Sequence, residues 1–212
     1  MSKRRARSLL AFPAAVLTAL LGVTTVLAAT TWTVRPGGPV SMKSGRFTLT
    51  LTDTATGAAL TCPPPSTLSG TLKSGSGLSA AGIGSITAVH SIFCPTPLGP
   101  SYTLRARDLP WRLNMLSYDA TTGVATGSLS HLQIAFSGTA CTAVIDGTSG
   151  AASDGTVKVR YTNSTGRLRT RTTGGNLHFY HVRGCAGLIN TGDPATISAI
   201  YTMSPVQAIT GP

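Results

Sequence analysis

The sequence predicts an all-β fold, an antiparallel β-sandwich or barrel-like sandwich preceded by a signal peptide, and three observations carry that expectation. Helix formers are scarce: the chain has no Glu, few Lys or Gln, and a body dominated by Thr, Ser, Gly, Val and Ile. Such residues fit pleated surfaces and the turns between them. The apolar period is two in "RFTLTLTD", where Phe47, Leu49 and Leu51 alternate with Thr48, Thr50 and Thr52. It is two again in "ATISAIYTM", where Ile197, Ala199, Tyr201 and Met203 alternate with polar neighbours and Ile200. Both stretches read as strands with one buried face. The third observation is turn chemistry that recurs in Asp53-Thr54-Ala55-Thr56-Gly57 and Asp119-Ala120-Thr121-Thr122-Gly123, with Asn163-Ser164-Thr165-Gly166 as a shorter version. Asp or Asn accepts bonds from the backbone two residues on, and Gly supplies the positive φ that returns the chain to the ladder.

These signals set hairpins at about 46–61, 113–127 and 157–172, with further strands at 85–93, 101–107, 130–136, 141–146, 177–182 and 195–203. The Pro- and Gly-rich run "TCPPPSTLSGTLKSGSGLSAAGIG" reads as a long loop with at most one short strand. No stretch carries a long helical period, which excludes a βαβ sheet.

Residues 1–28 have the layout of a signal peptide: the cationic "MSKRRARS", then an apolar run that ends in Val26-Leu27-Ala28. Cleavage after Ala28 leaves 29–212 as a single secreted β-domain. An uncleaved membrane anchor is the alternative, opposed by Pro13 and by the Ala-rich end of the run. Arg4-Arg5 has the form of a twin-arginine signal, but Ala6-Arg7-Ser8 stands where apolar residues should follow. Four of the 17 cations lie in this leader, so a formal charge of +11 becomes about +7 for the rest, set against six Asp. That balance favours anionic partners.

Cys62, Cys94, Cys141 and Cys185 make an even set in a chain expected to be exported, so two bridges are expected. Pairing Cys62 with Cys94 and Cys141 with Cys185 closes the shorter loops. About 184 residues bury enough surface that no bridge is needed to rescue a small core.

Enzyme signatures are mostly missing. Asp53, Asp119 and Asp146 sit in turn-like contexts, which leaves few carboxylates for acid/base work. Serines and four histidines are present without a G-x-S-x-G elbow. His178 and His181, three apart on an expected strand, point to opposite faces and so do not converge on a metal. No cofactor is expected, and His181 reads as a half-buried strand residue. In Leu109-Pro110-Trp111-Arg112-Leu113-Asn114, Trp111 reads as a core anchor rather than a stacking platform, and Trp32 as the pin of a first strand. Asn163-Ser164-Thr165 matches a glycosylation sequon but is read as a turn.

Together, "LPWRLN", "YTNSTG", "GCAGLI" and "GDPATISAIYTMSP", with the four cysteines around them, resemble a group of exported actinobacterial β-rich proteins. The resemblance implies a secreted, disulfide-bearing β-domain and brings no activity with it.

The most concentrated charge is in "VKVRYTNSTGRLRTRTT", which holds Lys158, Arg160, Arg167, Arg169 and Arg171 and no acid. A loop at Asn163–Gly166 sets Thr162 opposite Arg167, Tyr161 opposite Leu168, Arg160 opposite Arg169, and Lys158 opposite Arg171. Two roles compete for these cations: guarding an exposed sheet edge, or binding an anion. The function expected is an exported, non-enzymatic binding or structural module of the cell envelope or extracellular space. It would be secreted or loosely wall-associated, with an anionic cell-wall polymer or glycan as partner and no specific nucleic acid. The membrane is met only through the leader. The alternatives are a small secreted hydrolase and an envelope β-barrel.

Overall fold

A computed structural model describes residues 31–46, 48–96 and 99–212. The expected leader and Phe47 of the first hairpin lie outside the described residues. The strands begin with β1 (Trp32–Arg35), β2 (Gly38–Lys43), β3 (Leu49–Asp53), β4 (Ala59–Cys62), β5 (Thr67–Leu72) and β6 (Gly75–Leu78). Next come β7 (Gly84–Val89), β8 (Ile92–Cys94), β9 (Tyr102–Arg107), β10 (Trp111–Asp119), β11 (Val124–Gly138) and β12 (Thr142–Asp146). Last are β13 (Gly155–Thr162), β14 (Arg167–Thr170), β15 (His178–Arg183), β16 (Ala195–Ser198), β17 (Ile200–Ser204) and β18 (Ala208–Thr210). No helix occurs among the described residues.

Eight of these strands close into an antiparallel barrel in the order β10-β7-β5-β2-β17-β14-β13-β11, with β11 pairing back to β10. Alternation fills the barrel interior: Val157, Val159 and Tyr161 on β13, Leu168 on β14, and Tyr201 and Met203 on β17 are all buried. Their neighbours carry Thr, Lys and Arg outward. Full closure removes sheet edges, which a two-layer sandwich keeps.

The 15 residues of β11 serve two sheets. Its first half lies in the barrel, and its second half pairs with β9 and β12, extending outward to β8 and β15. The change occurs at a bulge between Ser130 and Leu132, where His131 has a φ of 64°. The second arm of the hairpin at 113–127 and the strand at 130–136, expected as separate, are therefore one continuous strand, β11. Two three-stranded sheets complete the fold, β18-β1-β6 and β16-β3-β4. Trp32 is buried in the first of them, as its role as a pin requires, and a Cβ at Gly211 would strike the indole at 2.8 Å.

Both expected disulfides form. Cys62–Cys94 ties the end of β4 to the end of β8, and Cys141–Cys185 ties the start of β12 to the chain just beyond β15.

Three expectations about elements are corrected. The run 61–84 is not a long loop, because it contains β5 and β6, and β5 is a barrel stave between β2 and β7. Gly70 hid it: the inward residues of β5 are Leu68, Gly70 and Leu72, and the gap breaks the apolar period. A side chain is excluded there, since a Cβ at Gly70 would sit 2.2 Å from the Ser85 carbonyl oxygen of β7. Gly70→Ala should therefore force β5 and β7 apart and lower stability by about 2 kcal/mol in chemical denaturation. Ser69→Ala, next to it, should stay within about 0.5 kcal/mol. Equal midpoints for the two variants would contradict this close approach.

The segment 195–203 is two strands, β16 paired with β3 and β17 paired with β14 and β2. Thr170 holds the break: its hydroxyl donates to the Ile197 carbonyl at 2.7 Å and accepts the Ala199 N–H at 2.8 Å. The inward alternation survives, because Ile197, Ala199, Tyr201 and Met203 are all buried. His181 is exposed rather than half-buried, with a φ of 53°.

Candidate anion-binding face

The hairpin of β13 and β14 has the register expected from its loop: Thr162 opposes Arg167, Tyr161 opposes Leu168 and Arg160 opposes Arg169. One step further, the Arg171 N–H donates to the Lys158 carbonyl at 2.8 Å, so these two residues also face each other. Gly166, with a φ of 63°, closes the turn, and Met203 of β17 donates its N–H to the Gly166 carbonyl.

Long-range bonds hold this hairpin in place. The Asn163 side chain does not cap its own turn as expected. It pairs instead with the Ile209 backbone in both directions, at 3.0 Å each. The buried Tyr161 hydroxyl donates to the Gln207 carbonyl and accepts the Gln207 N–H, both at 2.9 Å. Burial raises the Tyr161 pKa above the usual phenol value, so this link keeps its proton under neutral conditions.

Outside the barrel, Arg160, Arg169 and Arg171 line an open depression of about 530 Å³ together with Thr170, Thr172, Thr173, Ser198 and Ile200. Arg169 sits directly opposite Ile200 of β17. Lys158 and Arg167 flank this depression without lining it: the stem of Lys158 runs beside Gly174, and Arg167 stands opposite Thr202. No acid lines the groove. Asp119 comes near its rim, and its carboxyl is held below the usual carboxylate range first by the Thr122 hydroxyl, then by the Thr122 and Thr121 amides, and least by the Arg160 charge.

Neither strand of the hairpin is an edge. β13 pairs with β11 and β14, and β14 pairs with β13 and β17. The cations therefore have no edge to guard, and that reading of them is withdrawn. What remains is a face on which like charges oppose each other directly, an arrangement that destabilises a ladder by a fraction of a kcal/mol per pair.

The other candidate side chains are held as follows. Asp146, expected in a turn, is buried and collects the Gln133 amide and the N–H groups of Gly147, Ser153, Asp154 and Gly155. This hub was not legible, because its donors come from positions 133 to 155. Asp53 keeps the expected turn role through the amides of Ala55 and Thr56. Its buried Oδ2 accepts no hydrogen bond from the described residues. The Ser153 hydroxyl is committed to Asp108, and His131 reaches Ser130 instead. His178 turns its Nδ1 toward the carbonyls of Gly147 and Asn176. Trp111 is buried in the core as expected, its indole N–H donating to the Arg107 carbonyl.

Comparison with protein-family models, curated proteins and solved structures finds no match to this chain.

Proposed function

We propose that the protein is an exported, non-enzymatic β-barrel module that binds an anionic polymer of the cell envelope or extracellular space through the outer face of β13 and β14. One observation carries this reading: Arg160 and Arg169 are held opposite each other on two strands that are not edges, beside a groove with no acid in its lining. Without a ligand the direct opposition of Arg160 and Arg169 is a cost that the Arg160–Asp119 attraction at the rim offsets only in part; an anion lying across both guanidiniums turns it into a gain. Two disulfides are typical of extracellular proteins and agree with the export expected from the leader.

The hydrolase alternative needs a nucleophile, a base and an orienting acid to converge. Here the Ser153 hydroxyl is given directly to Asp108, with no imidazole between them. A membrane barrel needs an outward apolar band about 25 Å tall. At about 3.4 Å per residue, β14 with 4 residues and β17 with 5 fall short of that height, and the outward side of β13 and β14 carries cations.

The test is retention on purified cell wall and on immobilised heparin at several salt concentrations. A triple variant with Ser in place of Arg160, Arg169 and Arg171 is expected to lose at least about tenfold in retention. Its dependence on salt should also be shallower, since fewer counterions are released. Unchanged retention on both matrices refutes the proposal.

A further inference from the structure

The chemistry and spacing of this face narrow the class of anion, an inference that rests on the reading just proposed. Three outward rows follow one another along the hairpin: Arg167 opposite Thr162, Arg160 opposite Arg169, and Lys158 opposite Arg171. Successive rows are two residues apart, which is about 7 Å along a strand, while the two cations within a row are about 5 Å apart at Cβ. Two guanidiniums at that separation can take the two free oxygens of a single phosphate.

The interval between rows then sets the interval between phosphates. Three extended backbone bonds span about 3.5 Å, so the six bonds between successive phosphorus atoms of a glycerol-type phosphodiester span about 7 Å. An acidic glycan spaces its charges by rigid rings, and that period does not follow from a two-residue step. The groove adds the hydroxyls of Thr172, Thr173 and Ser198 and contains no aromatic side chain. It therefore has polar partners for phosphate oxygens and no platform on which a base could stack.

We infer that the face takes successive phosphates of an extended phosphodiester polymer with a non-aromatic spacer, a polyol phosphate, running along β13 and β14. Arg160 and Arg169 clamp one phosphate and Lys158 and Arg171 the next, with the hydroxyls of Thr172, Thr173 and Ser198 at the Arg171 end of the run.

The experiment uses the full chain, purified with both disulfides formed, and measures binding of three probes by titration at several salt concentrations. The probes are a synthetic glycerol-phosphate oligomer, a heparin oligosaccharide of equal charge, and single-stranded DNA with the same number of phosphates. The glycerol-phosphate oligomer is expected to bind at least about tenfold more tightly than heparin and no less tightly than the DNA. Lys158→Ser with Arg171→Ser should cost about tenfold and reduce the salt slope by about 0.7, for the one phosphate that the two cations share. Arg105→Ser with Arg183→Ser, both exposed and off this face, should leave the affinity within about twofold.

Heparin binding equal to or tighter than the oligomer overturns the phosphodiester assignment and leaves the anion-binding reading standing. Tighter binding of DNA overturns the non-aromatic spacer. An equal loss from the Arg105 and Arg183 pair overturns the row geometry in favour of diffuse charge, and no binding of any probe overturns both readings.

Discussion

Asp146→Ala is expected to cost about 4 kcal/mol, a large share of the stability of a typical domain. The carboxyl is fully buried at 0% exposure. Its Oδ1 accepts from Gly147 at 2.7 Å, Asp154 at 3.0 Å and Gly155 at 3.2 Å. Its Oδ2 accepts from Gln133 at 2.8 Å and Ser153 at 3.1 Å. Removing it strands five donors, and an unsatisfied buried group costs about 1–3 kcal/mol before relaxation. Asp146→Asn keeps one acceptor oxygen and should cost about half as much. Asp154→Asn acts on an exposed network with Thr148 and should stay below about 1 kcal/mol. Denaturant midpoints order the three variants, and an Ala variant within about 1 kcal/mol of the parent would contradict the role of this hub. The consequence reaches the proposed site, because Gly155 opens β13, the strand that carries Lys158 and Arg160.

Removing the Cys141–Cys185 bridge, as Cys141→Ser with Cys185→Ser, is the second large effect. The bridge closes a separation of 44 residues, for which chain entropy alone gives about 4 kcal/mol. It also secures the end of the outer sheet: β15 has a full ladder only with β12 among the described strands, and on its other side it is tied to residues 192–194 by the Phe179–Asp193 and Gly192–Phe179 backbone bonds and the His178–Pro194 bridge. The thermal midpoint should fall by roughly 10 °C or more, since about 1 kcal/mol moves a domain of this size by about 2–4 °C. Anion binding measured below the new midpoint should be unchanged, because the groove lies on the barrel and neither cysteine touches it. An unchanged midpoint would show that the outer sheet does not depend on the bridge. Loss of binding in a folded variant would show that the outer sheet supports the groove.

Much of the architecture was legible wherever its signal was local. The turns at Asp53 and Asp119 form as read, with the carboxylate accepting the next amides and a positive-φ Gly closing each. The β13–β14 register was legible because a four-residue loop determines which residues face each other. Both cysteine pairings also follow the shorter-loop reading. Stave β5 was not legible, because Gly70 removes the apolar residue from the middle of its inward face. The break at Ala199 was not legible either, because the bonds that make it come from Thr170, 29 residues earlier in the chain.

For the candidate site the division is sharper. The five cations and their facing pairs can be read from a stretch of 17 residues, since the residues that pair are separated by a short turn. What that stretch could not contain is the partner on the far side of β14. An edge strand and a stave in a closed barrel have the same alternating sequence, and only the ladder to β17 tells them apart. The sequence by itself determined that this chain makes β-strands, where several of them turn, and that its charge lies in opposed pairs, because those properties depend on near neighbours. Only the tertiary structure decided that the sheet closes, that the charged hairpin guards no edge, and that Ser198 and Ile200 complete a groove beside it. Those outcomes depend on hydrogen bonds between segments far apart in the chain.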